Sequence, residues 1–244
     1  MLILLSPSKT QKTGGDYPDF SVPEHLEKTE NLVNTLKNCT TAELGDVMQI
    51  SEKLAEATQK RYAHFLFPPQ RGYCGQALLT FRGDVFSEID VDHYQKEDFL
   101  FAQKHLRILS GLYGILRPLD LIQPYRLEMG GKFRTPEGET LYMYWRETIE
   151  KSIITHLETI NAREIINLAS NEYFKSIRAD AIKVPIINVF FRQHKNGNLR
   201  TIAIHAKKAR GALTNYIIKN RIQNSSALTD FHFQGYVYAK DLSN

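Results

Sequence analysis

Val184-Pro-Ile-Ile-Asn-Val-Phe-Phe-Arg-Gln-His-Lys-Asn-Gly-Asn-Leu-Arg-Thr-Ile-Ala-Ile-His-Ala206 carries the plainest local signature in this chain of 244 residues. Two runs rich in β-branched and aromatic residues, Val184 to Gln193 and Leu199 to Ala206, flank His-Lys-Asn-Gly-Asn. Asn196-Gly197 supplies the positive φ angles that a tight hairpin turn requires, so the stretch predicts a β-hairpin. A helix is predicted to follow without a linker, from Lys207 to about Gln223. Two strands running straight into a helix break a strict β–α alternation. The predicted fold class is therefore α+β (mixed), a single domain over residues 1–244 with a central sheet surrounded by helices.

Working outward, Leu2 to Leu5 predicts a short buried strand, and so does Glu164 to Ala169. Residues 10–22 are polar, with Gly14, Gly15 and Pro18, and predict a loop. Helices are predicted from Pro23 to Asn38, Thr41 to Gln49, Ser51 to Phe65, and over 96–109 and 139–158. Thr40 with Glu43 three residues on has the spacing of a capping box. Gly111 stands just past the predicted end of the 96–109 helix. No repeat, low-complexity tract or interdomain linker interrupts the chain.

Hydrophobic residues make up 42%, aromatics 11% and charged residues 24%, which excludes global disorder, collagen and coiled coil. No apolar run reaches the length of a membrane span, and Met-Leu-Ile-Leu-Leu lacks the positive leading region of a signal peptide. The expectation is a cytoplasmic protein with no membrane partner. Cys39 and Cys74 have neither redox nor zinc spacing, and the eight histidines show no metal-ligand pattern, so no metal or cofactor is implied.

The net charge of +4 is unevenly spread. Between Asp180 and Asp230 there is no acidic residue, while nine bases stand there: Lys183, Arg192, Lys195, Arg200, Lys207, Lys208, Arg210, Lys219 and Arg221. Such asymmetry suggests a surface that meets a polyanion, with nucleic acid the leading candidate.

Five motifs could carry chemistry. Ser6-Pro-Ser-Lys9-Thr follows the first strand, where open α/β sheets place ligands, though it lacks the glycines of a P-loop. Phe81-Arg82-Gly-Asp84-Val-Phe sets an arginine and a carboxylate around a glycine. His105-Leu-Arg-Ile-Leu-Ser-Gly-Leu-Tyr-Gly-Ile-Leu-Arg-Pro-Leu-Asp-Leu-Ile-Gln-Pro-Tyr-Arg-Leu-Glu-Met-Gly130 has the look of a helix-hairpin-helix, an element that grips phosphate with backbone N–H groups. The plainer role for its Arg107, Arg117 and Arg126 is pairing with Asp120 and Glu128. Asn167-Leu-Ala-Ser-Asn-Glu172-Tyr-Phe-Lys175 offers a cap at Ser170 or Asn171, and a carboxylate three residues from an ammonium. Ala206-Lys207-Lys208-Ala-Arg210-Gly opens the last helix.

These five motifs, in this order, closely resemble the YaaA family of bacterial cytosolic peroxide-stress proteins. The resemblance runs from Met1 to about Tyr238. It implies an α+β fold with a helix-hairpin-helix and a positively charged cleft. It also implies protection against peroxide through lower free iron and less damage, and binding to duplex or distorted duplex DNA. It brings no established reaction. Carried onto matching positions, it makes Lys9, Arg82, Arg107, Arg126, Lys175, Lys207, Lys208 and Arg210 the expected DNA-binding cations. Ser8 departs from the family pattern, where alanine is common. The alternative is an enzyme acting on a nucleotide or nucleic acid, its pocket built around Lys9, Asp84 and Glu172 with Ser6, Tyr113, Arg126 and Lys175.

Overall fold

The computed structural model describes residues 1–14, 17–135, 138–195 and 197–243. The chain opens with strand β1 (Leu2–Leu5) and helices α1 (Leu26–Lys37), α2 (Thr41–Met48) and α3 (Glu52–Ala63). There follow β2 (Gly75–Gln76), α4 (Ala77–Thr80), α5 (Lys96–His105), β3 (Leu106–Ser110), β4 (Gly114–Leu116) and β5 (Leu121–Ile122). The second half holds α6 (Leu141–Thr159), β6 (Ile165–Asn167), α7 (Asn171–Phe174), β7 (Ile186–Asn188), β8 (Gln193–Lys195), β9 (Asn198–Arg200) and α8 (Ala203–Lys219).

Five strands form the central sheet in the order β4-β3-β1-β6-β7. β1 pairs in parallel with β3 and with β6, β6 pairs in parallel with β7, and only β4 runs antiparallel. The fold is thus a mixed α/β single domain with helices around a mostly parallel sheet. Strands covered on both faces need apolar side chains on both. That is why Leu2, Ile3, Leu4 and Leu5 are uninterrupted and fully buried.

Helix α6 lays Leu141, Trp145, Ile149, Ile153 and Leu157 along one buried stripe. The Trp145 Nε1–H donates to the Gly111 carbonyl at 2.9 Å. Gly114 sits under the indole at φ +73°, where a Cβ would lie 2.5 Å from the ring. The turn between β3 and β4 therefore admits only glycine there. The Thr40–Glu43 capping box forms as its spacing predicts.

The structure corrects three local readings. The helix over 96–109 stops at His105, because Leu106 to Ser110 is β3, the inner strand beside β1. A short apolar run fits either helix or buried strand, and here the sheet takes it. For the same reason the 105–130 block is not a helix-hairpin-helix. It is strand, tight turn, strand and extended chain, with no helix from Leu106 to Gly130.

The predicted hairpin is shorter than expected. Ile186–Asn188 leaves it to join the central sheet against β6, and only β8 and β9 pair as a two-stranded ribbon. Ala203 to Ala206 belongs to α8, whose small residues Ala206 and Ala209 pack inward. That helix ends at Lys219, short of Gln223. Gly15, Asn196 and the Lys195 side chain lie outside the described residues.

Candidate functional site

Across the sheet the parallel strands stand in the sequence second, first, third, fourth. The connections leaving β1 and β6 therefore part on opposite sides of the gap between them. Such a switch point, at the carboxyl ends of the strands, is where open parallel sheets hold ligands. Ser6 and Ser170 close the bottom of this gap. The Ser170 N–H donates to Ser6 Oγ at 2.8 Å, and the Ser6 hydroxyl donates to Ser170 Oγ at 3.3 Å. Ser170 precedes α7, but its side chain caps no helical N–H.

The loop after β1 is tied down on both flanks. Arg82 N–H donates to the Thr10 carbonyl at 2.8 Å, and Gln11 Oε1 accepts from the Tyr125 N–H at 2.7 Å. Lys9 thus stands between two polar groups. On one side its Nζ lies 3.3 Å from Glu128 Oε1, an oxygen that Arg126 Nη2 approaches to 3.5 Å. Tyr62, fully buried, holds this segment by donating to the Arg126 carbonyl at 2.8 Å. Glu172 Oε1 accepts from the Gly130 N–H at 3.1 Å, and Tyr142 donates to the Glu172 carbonyl at 2.9 Å. Burial and the Glu172 charge both raise the Tyr142 phenol above its ordinary value.

On the other side, α8 packs on residues 84–88. Lys207 reaches Asp84 at 3.7 Å, and Lys208 reaches Glu88 at 3.4 Å. Gly211 makes the approach possible, since a Cβ there would lie 1.8 Å from the Val85 carbonyl oxygen. Lys207, Arg210, Gly211 and Thr214 fall at i, i+3, i+4 and i+7, on one helix face. Arg210 stands on this face, one residue before the Gly211–Val85 contact. Its Nε is buried without a hydrogen-bond partner, and it forms no ion pair among the described residues. Burial alone lowers the proton affinity of its guanidinium.

The sheet thereby brings Ser6, Lys9, Arg82, Asp84, Arg126, Glu172, Lys207, Lys208 and Arg210 to its carboxyl-end rim. Lys175, at the end of α7, is exposed on the same side. Two of the expected residues stand elsewhere. Arg107, only 5% exposed, is the second residue of β3, near the amino end of the sheet. Its Nη1 donates to the Gln103 and Leu106 carbonyls at 3.0 and 2.8 Å, and burial pulls its pKa down to about 10. It is a core arginine and lines no cleft. Tyr113 is also scaffold: its buried hydroxyl accepts from the Gln123 N–H at 3.1 Å.

Ser170 and Glu128 are the rim residues that the motifs did not single out for chemistry. Glu128 carried a signal, as the counter-charge two positions after Arg126. Ser170 carried one only as a helix cap, a role its side chain does not take. Among the described residues, no three His, Cys, Asp or Glu side chains gather as a metal site requires. Burial raises both thiols, Cys39 and Cys74, above their ordinary value. No helix among the described residues is long and apolar enough to cross a membrane.

This geometry defines an open-sheet α/β protein with basic and acidic side chains gathered at its switch point. The chain belongs to the peroxide stress protein YaaA family, whose sequence profile matches residues 1–242. It is 45% identical over its whole length to a UPF0246 protein of Acaryochloris marina, covering 96% of that chain. It is 42% identical, again over its whole length, to a UPF0246 protein of Alteromonas mediterranea, covering 95% of that chain.

Proposed function

We propose that this peroxide-stress protein acts in the cytoplasm by gripping the phosphate backbone of DNA along the carboxyl-end rim, and so limits iron-driven oxidative damage. One observation carries the reading. Four segments that carry cations, with Lys9, Arg82, Lys175 and the Lys207–Arg210 turn of α8, come together near the carboxyl ends of the strands, where Lys9 meets Glu128 and Lys207 meets Asp84. Arg126 and Arg210 stand among them with buried Nε donors that no protein acceptor meets. Phosphodiester oxygens are acceptors of the kind such donors lack, and contacts of this type fix position without reading sequence. Arg107 has no part in the grip, and no helix-hairpin-helix is needed for it.

The test is fluorescence anisotropy with labelled plain, bulged and four-way-junction DNA across a salt series. With about five phosphates contacted, affinity should fall roughly 10²–10³-fold between about 50 and 200 mM salt. The Lys207→Glu/Lys208→Glu variant should lose that binding. A salt-independent affinity, or full binding by the variant, would refute the reading.

A further inference from the structure

Four buried side-chain polar atoms among the described residues have no hydrogen-bond partner: Thr80 Oγ1, Arg126 Nε, Glu128 Oε1 and Arg210 Nε. Folded proteins leave few such atoms, and each calls for a physical reason. Three of these four stand on the carboxyl-end rim, which points to a missing partner there rather than to scattered strain.

The chemistry of the three atoms narrows that partner. A guanidinium Nε–H only donates, so Arg126 and Arg210 call for an acceptor. Arg210 has no carboxylate beside it, so the acceptor it lacks is an anion. Glu128 Oε1 is an acceptor. Lys9 and Arg126 both approach it, yet neither closes a hydrogen bond. It therefore has room for an N–H or O–H donor. A DNA phosphodiester group answers the arginines but itself carries no donor for Glu128, and the base amino groups of a duplex lie in the grooves, away from the phosphate. A free nucleotide brings both, with phosphate oxygens at one end and sugar hydroxyls or base amino groups at the other.

We infer that the rim holds a discrete site for a small phosphorylated molecule of the nucleotide class, its phosphate on Arg126 and Arg210 and its hydroxyl or amino group on Glu128. The inference rests on the phosphate-binding reading of the rim, but asks for one saturable site rather than an extended track. The loop of Lys9 is bonded toward Arg82 on one flank and, on the other, toward Tyr125, the residue before Arg126. It is placed to close over the phosphate with its ammonium.

The experiment is calorimetric titration and thermal-shift measurement of the whole protein with adenosine 5′-monophosphate, inorganic phosphate and unphosphorylated adenosine. The monophosphate should bind saturably and raise the unfolding midpoint, phosphate should bind more weakly, and adenosine should not bind. Arg126→Met and Arg210→Met should each weaken the monophosphate by roughly tenfold or more. Arg210→Lys keeps the charge but removes the Nε donor, and should lose binding too. Glu128→Gln should weaken the monophosphate and leave inorganic phosphate unchanged. Ligand-free unfolding midpoints separate lost binding from lost folding.

No saturable binding by the wild type, or wild-type binding by Arg210→Met, would overturn the inference. DNA anisotropy on the same samples keeps the two readings apart. DNA binding without nucleotide binding sinks this inference alone, and nucleotide binding without DNA binding sinks the other alone.

Discussion

The two ends of the parallel sheet treat buried charge in opposite ways. At the amino end, Arg107 is desolvated but spends its donors on two backbone carbonyls. Beside it Asp120, 1% exposed, accepts from the Ser21 hydroxyl at 2.7 Å, the Arg117 N–H at 2.8 Å and the Arg117 Nε–H at 3.0 Å. His105 Nδ1 meets the Met1 carbonyl at 2.8 Å, and His156 Nε2 meets the Lys104 carbonyl at 2.7 Å. At the carboxyl end, Arg210 is half-buried with no partner at its Nε, and Arg126 Nε and Glu128 Oε1 make no hydrogen bond, though Lys9 and Arg126 approach that oxygen as ion pairs. The first end is a closed network that holds the sheet together. The second keeps unmet donors and acceptors, as a binding surface must before its ligand arrives.

The sharpest way to break this contrast is at Asp120. Asp120→Ala removes the buried acceptor of the Ser21 hydroxyl, the Arg117 N–H and the Arg117 Nε–H, while Arg117 keeps Glu24 and the Val22 carbonyl, and should lower stability by about 2–4 kcal/mol in urea unfolding. A loss under about 1 kcal/mol would mean the amino end is no tighter than the rim. Next comes Gly211→Ala, which pushes α8 off the Val85 carbonyl. It should cost about 1–3 kcal/mol and also weaken DNA binding, because Lys207 moves with the helix. Stability lost without any change in binding would detach α8 from the site.

Arg210→Met should show the reverse sign. Removing a desolvated charge with no partner should leave the urea midpoint unchanged or higher, while anion binding falls. A destabilised variant would show that Arg210 belongs to the scaffold, as Arg107 does.

The histidines give a pH test of the amino end. Burial lowers the proton affinity of His25, His105 and His156. The unfolded chain then binds more protons than the folded one as pH falls through the unfolded histidine value of about 6.5. Stability should therefore decline from about pH 7.5 to 5.5, and a His25→Gln/His156→Gln variant should decline less over that range. A flat wild-type profile would count against their burial.

The smallest effect belongs to the rim's surface pairs. Lys207 is 54% exposed and Asp84 37%, so Lys207→Gln should change stability by less than about 1 kcal/mol. The salt slope of DNA binding should fall by about one unit.

Much of this was readable without coordinates. The capping box at Thr40 and Glu43, the buried strand at Leu2–Leu5 and the helix bearing Trp145 follow from local rules, because each rests on neighbours within a turn or two. The pairing of Arg126 with Glu128 and of Arg117 with Asp120 was also within reach, since these partners stand two and three residues apart. Leu106–Ser110 was not readable. A five-residue segment with three apolar side chains is compatible with helix or strand, and only the open place beside β1 selects the strand. The misplacement of Arg107 follows from that error, since a helix would have turned it toward solvent and the inner strand buries it.

The acid-free window shows the same division. Its nine bases are a property of the sequence, yet Lys207, Lys208, Lys219 and Arg221 find carboxylates at Asp84, Glu88 and Asp98, from more than 100 residues earlier in the chain. Composition and periodicity determined the class of fold and its main helices, while the resemblance of the five motifs pointed to the family and to the candidate cations. The tertiary structure alone decided which charges were neutralised, which were buried as scaffold, and which were left without partners at the switch point. Sequence patterns report the interactions of near neighbours, whereas the fate of a charge depends on groups that only the folded sheet brings into range.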